Sequence, residues 1–112
     1  MFVGHLARLQ SQLVEALRAH LAGGKPRAPL AGAVIWKAFA DLNTRRGYVG
    51  GLPQPISGAE VEAMERRNGV RWPDALLAIL LAMDAAWLAA QVAQPVDSKA
   101  GAAPGAFDAM FG

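Results

Sequence analysis

The side chains that could do chemistry in this chain are few, and their spacing keeps most of them apart. The two histidines, His5 and His20, stand about four helical turns apart on one helical stretch, too far to share a metal ion. His20 borders a leucine stripe and reads as a partly buried or surface histidine. There is no cysteine, which removes disulfides, thiol nucleophiles and thiolate metal sites. The carboxylates available for acid–base work are Glu60, Glu62, Glu65 and Asp84. The first three suit helix-capping and dipole roles better than a pair facing each other across a cleft. Ser57 reads as a helix cap, and neither Ser11 nor Ser98 sits in a glycine-flanked nucleophile turn. Residues 47–55 are rich in glycine and proline, but no lysine follows in phosphate-loop spacing and no strand precedes them. The inventory argues against an enzyme, and it assigns no catalytic residue, no metal and no cofactor.

The elements that carry these residues read as an all-α domain, a small bundle of about four helices over residues 1–93. Residues 94–112 then read as a flexible tail rich in Ala, Gly and Pro. In the first helix, residues 2–22, Leu6, Leu9, Leu13, Leu17 and Leu21 recur at spacings of three and four, with Arg8, Gln12, Glu15 and Arg18 opposite. Gly23, Gly24 and Pro26 end it. The second helix is expected over residues 30–46, with Ile35, Ala38, Phe39 and Leu42 inward and Trp36 at the margin. Arg45 and Arg46 fall in its last turn, where cations oppose the dipole. Residues 47–55 form a loop on composition. Ser57-Gly58-Ala59-Glu60 is a capping box, and Ile56 and Val61 are spaced for a hydrophobic staple around it. That third helix stops at Gly69. Trp72-Pro73-Asp74 opens the fourth, which from 75 to 92 is apolar almost all round except at Asp84. Such a helix is expected to be buried on most sides or to meet a partner.

Composition points the same way. The chain is 54% hydrophobic but only 7% aromatic over 112 residues, more apolar material than one small helical core comfortably hides. An exposed apolar face follows, and with it self-association or a protein partner. The opening residues lack a secretory pattern, and the longest apolar run is too short to span a bilayer. A cytoplasmic chain with no membrane partner is therefore expected. The net charge of +2 is spread among Lys25, Arg27, Arg45, Arg46, Arg66, Arg67 and Arg71, which read as solvated helix ends. Helices three and four have the outline of a helix-turn-helix. Residues 75–81, however, offer no polar side chain to a base edge, so nucleic acid is not the expected partner.

The order of these pieces resembles the tail assembly chaperones of long-tailed bacteriophages, prophages and gene transfer agents. The resemblance rests on Trp36 and Phe39 on one helix, Arg45 or Arg46 at its end and a glycine-rich loop. It continues through Pro55-Ile56, the capped helix ending at Gly69, and Ala82-Met83-Asp84-Ala85-Ala86-Trp87-Leu88. The closing Phe107-Asp108-Ala109-Met110-Phe111 is similar to endings of the same group. It covers about residues 35–88 and the last few positions. The resemblance implies a non-enzymatic protein that binds the tape measure protein, keeps it soluble, promotes tail tube assembly and is absent from the mature virion. Within it, Trp87, Leu88, Phe107, Met110 and Phe111 are the expected partner contacts, because an apolar helix and an anchor with this spacing can cover a helical client. Trp36, Phe39, Ile56, Ser57, Glu60 and Val61 are expected to be structural. A small helical adaptor, a DNA-binding regulator and a minor structural subunit of the particle are the alternatives.

Overall fold

A computed structural model of the chain describes residues 2–27 and 29–93. The tail expected over residues 94–112, with Phe107, Met110 and Phe111, lies outside the described residues. Four helices make an all-α bundle: α1 (Phe2–Leu21), α2 (Ala33–Thr44), α3 (Gly58–Asn68) and α4 (Asp74–Ala93). A 3-10 turn, Leu30–Gly32, precedes α2, and a short antiparallel pair, β1 (Tyr48–Val49) and β2 (Leu52–Pro53), separates α2 from α3.

Helix α1 forms where the leucine period demands it. Leu9, Leu13 and Leu17 are buried and Leu6 and Leu21 flank them half-buried, while Arg8, Gln12 and Glu15 face water. Its end is stopped as the glycine pair predicts. The Gly24 N–H donates to the Ala19 carbonyl and the Gly23 N–H to the His20 carbonyl, the paired bonds of a Schellman cap. The partner of α1 is chiefly α4, so the helix that comes first in the chain and the one that comes last pack side by side, with α2 against α4 as the third member.

The 3-10 turn shortens α2 relative to the sequence expectation. The Gly32 N–H donates to the Pro29 carbonyl, and the turn lies so close to α1 that a Cβ on Gly32 would stand 2.7 Å from Leu13 Cδ2. Glycine is there for close approach. Trp36, expected at the margin of α2, is fully buried beside Phe39 and meets the edge of His20 with ring centroids 6.4 Å apart. The burial of Trp36 follows from α1 and α4 covering the side of α2 that the isolated stripe left open.

Residues 47–55 are not an unstructured loop. Gly50 and Gly51, with φ of 59° and 82°, supply the two left-handed positions of a tight hairpin turn, pairing Val49 with Leu52 and Tyr48 with Pro53. The Gln54 N–H to the Gly47 carbonyl extends the pairing to the root of the hairpin. Helix α3 begins with the capping box in place: the Glu60 N–H donates to Ser57 Oγ at 3.2 Å, and the Ser57 N–H donates to Glu60 Oε1 at 3.3 Å. Ile56 is buried and Val61 half-buried, as a staple requires. Gly69 closes the helix at φ 69°.

Candidate interaction surface

Asp84 is the one carboxylate in the apolar stretch of α4, and its position turns the helix into a support for everything between α2 and α3. It points inward and is met by Arg46, whose side chain is fully buried. The sequence reading of Arg46 as a solvated helix end is corrected here. Arg46 Nη2 donates to Asp84 Oδ1 at 2.5 Å, Nη1 donates to the Gln54 carbonyl at 2.7 Å, and Nε donates to Asn43 Oδ1 at 2.8 Å. The Ile56 N–H donates to Asp84 Oδ2 at 3.1 Å. Both oxygens of the carboxylate and all three nitrogens of the guanidinium are thereby engaged. A buried ion pair needs that degree of satisfaction to offset desolvation. The arrangement clasps the end of α2, the hairpin root, the start of α3 and the middle of α4 at one point.

Trp87 completes the clasp. The Arg46 guanidinium carbon lies 4.1 Å from the centroid of its indole ring, a cation–π stack formed away from water. Trp87 is 7% exposed and belongs to the core, so its expected place on the contact surface is corrected. The reason is register: Ile79, Leu80, Met83 and Trp87 recur at helical spacing and face α1 and α2, and the Trp87 ring is drawn in by the buried cation. Leu88 is half-buried at the edge of the same face.

The face that α4 does present is its other one. Ala75, Ala78, Leu81, Ala85, Ala89 and Val92 are exposed, Leu81 to 47% and Val92 to 88%. The expectation of a helix buried on most sides therefore gives way to one that is half covered. The expectation that no apolar stretch is long enough to span a bilayer is corrected here: the 19-residue span Asp74–Val92 is long and apolar enough to do so by length and composition alone. In the structure 33% of that span is buried, against the other helices of the bundle.

At its N-terminal end this face opens into a groove between α3 and α4, with a cavity of about 320 Å³. Val61, Trp72, Leu77 and Leu81 form its apolar walls. The rim is charged, with Glu62, Glu65 and Asp74 set against the single cation Arg71. Glu65 Oε2 accepts from the Trp72 N–H at 2.8 Å, which fixes the corner between the two helices. Helix α3 packs more against α2 than against α4. Asp41 holds it there through Arg67 at 2.8 Å. A second exposed apolar feature is the hairpin, where Tyr48, Val49 and Leu52 are each more than half exposed.

Among the described residues no three His, Asp or Glu side chains gather as a metal cage. His20 lies against Trp36, where burial pushes its imidazole pKa below the ordinary value. No protein-family model, no curated protein and no solved structure matches the chain.

Of the residues expected to be structural, Trp36, Phe39 and Ile56 are core, Ser57 and Glu60 form the cap, and Val61 both staples the cap and lines the groove. The groove itself went unread in the sequence, since it arises from a gap between helices. The hairpin did carry a signal: Gly50-Gly51 between Tyr48-Val49 and Leu52 has the form of a two-residue turn between apolar neighbours.

Proposed function

We propose that this chain is a non-enzymatic tail assembly chaperone of the long-tailed phage, prophage or gene transfer agent type. In this role it holds a tape measure protein soluble while tail tube subunits assemble around it, acts in the host cytoplasm, and leaves before the particle is complete. The observation that carries the binding part of the reading is the outward face of α4. From 75 to 92 its exposed side chains are uncharged and mostly apolar, and they run into the α3–α4 groove. Such a face on a small domain suits the cover of an apolar helical segment in a client. The sequence resemblance supplies the identity of that client.

The contact residues under this reading are Leu81, Ala85, Ala89 and Val92, with Leu88 at the border, in place of Trp87. Co-expression tests it directly. The tape measure protein from the same gene cluster should move from the insoluble to the soluble fraction in the presence of this chain, and Leu81→Glu should abolish the gain. Unchanged solubility would remove the proposal. Mass spectrometry of purified particles should find the tail tube protein without this chain. Its retention would favour a minor structural subunit.

A further inference from the structure

We propose that the α3–α4 groove seats an amphipathic helix of a partner protein, one that sets a large apolar side chain into the cleft and a lysine or arginine beside it. The partner's identity rests on the chaperone reading, while the chemistry of the seat rests on the groove. Its volume of about 320 Å³ is walled by Val61, Trp72, Leu77 and Leu81. That lies at the bottom of the roughly 300–1,000 Å³ range of small-molecule sites, a size suited to an anchoring side chain. An aromatic wall beside aliphatic ones is the usual lining of an interface hot spot.

The walls also select the form of the partner. Helices α3 and α4 form the long sides of the groove, and at the corner between them the Trp72 N–H is already bonded to Glu65, so an extended segment would find few main-chain partners along it. A helix brings its own backbone already satisfied. Ala78 and Ala85 lie one turn on either side of Leu81 and are exposed. Side chains this small let a second helix axis approach to about 8 Å.

Charge selects further. The rim carries three carboxylates to one guanidinium, on a chain whose net charge is +2. Glu65 is occupied by the Trp72 N–H, whereas Glu62 and Asp74 make no side-chain hydrogen bond or ion pair among the described residues. Two unengaged carboxylates beside an apolar cleft favour a cation on the incoming helix and disfavour an acid.

The test uses the full chain and two synthetic helical peptides. Both carry a leucine stripe, and they differ only in having lysine or glutamate at the positions flanking one leucine. Binding is read by peptide anisotropy and by the fluorescence of Trp72 in the cleft wall. The lysine peptide should bind about tenfold more tightly than its glutamate twin, a difference of about 1.4 kcal/mol. In Glu62→Lys/Asp74→Asn the preference should shrink below about threefold with the fold intact, since both positions are exposed. Leu81→Glu should lose both peptides.

Equal affinities for the two peptides, or binding indifferent to Leu81→Glu, would overturn the proposal. So would a concentration-dependent oligomer that Leu81→Glu disperses and the peptide fails to displace, which would make a second copy the occupant. Binding that appears only after Phe107→Ser/Phe111→Ser would assign the groove to the chain's own closing segment. If the lysine peptide binds as expected while tape measure solubility is unchanged, the client reading falls and the groove assignment stands.

Discussion

On its inner side α4 buries Ile79, Leu80, Met83 and Trp87 and fixes Asp84 with two hydrogen-bonding partners. On its outer side the same helix shows Ala78, Leu81, Ala85, Ala89 and Val92 to solvent. The inner face carries bulky side chains and the one charge, the outer face mostly alanine, and the two have opposite degrees of determination. Inside, both oxygens of Asp84 and all three guanidinium nitrogens of Arg46 have partners. Outside, an apolar surface of smaller side chains is left uncovered. Apolar composition therefore does not by itself place a residue in the core. The single aspartate does, because a charge that must be paired fixes which way the helix turns.

The sharpest way to break this contrast is at the clasp. Asp84→Ala leaves the Arg46 guanidinium buried without its counter-charge, and the domain should lose about 3–5 kcal/mol in urea unfolding. A loss below about 1 kcal/mol would mean that water reaches Arg46 and that the inner face is not closed. Gly32→Ala comes next. It pushes a methyl into Leu13 at the contact of the 3-10 turn with α1 and should cost about 1–3 kcal/mol, read as a lowered melting temperature. Ser57→Ala removes the cap at the border of the groove and should cost about 1 kcal/mol, with faster amide exchange confined to the first turn of α3.

The contribution of His20 is smaller and depends on pH. Burial lowers its pKa in the folded state, so the unfolded chain binds the proton more readily. Stability from this source is complete above the ordinary histidine value of 6.5 and declines as pH falls below it. The urea midpoint should drop between about pH 7.5 and about pH 5, and His20→Gln should remove part of that drop. An unchanged slope in the variant would show that His20 does not contribute to it. The smallest effect on stability is expected at the outer face. Leu81→Glu should change it by no more than about 0.5 kcal/mol, because the side chain is 47% exposed. A large loss there would mean that the groove is core, and the contrast between the faces would disappear.

Sequence patterns reached different depths in different elements. The leucine period of α1, the glycine stops and the Ser57–Glu60 cap are local devices, and each appears where its spacing placed it. Arg45 and Arg46 were indistinguishable by local rules, being neighbours of the same type at one helix end. Arg46 is selected by a carboxylate 38 positions later, while Arg45 stays outside with Asp41. Trp87 was misplaced for a related reason: the one polar mark on α4, Asp84, gives its facing only once Arg46 is placed beside it. The groove is a gap between α3 and α4, and the contacts that place α3, Arg67 with Asp41 and the burial of Met64, have no local signature.

The pairing of α1 with α4 has a consequence for how the chain is made. Helix α1 leaves the ribosome well before α4 exists, and at about 5–20 residues per second its leucine face waits several seconds for its principal partner. During that interval the nascent chain carries an uncovered stripe of Leu9, Leu13 and Leu17, the same kind of surface that the proposed role has it shield in another protein. Its assembly into a bundle therefore waits until α4 has cleared the exit tunnel.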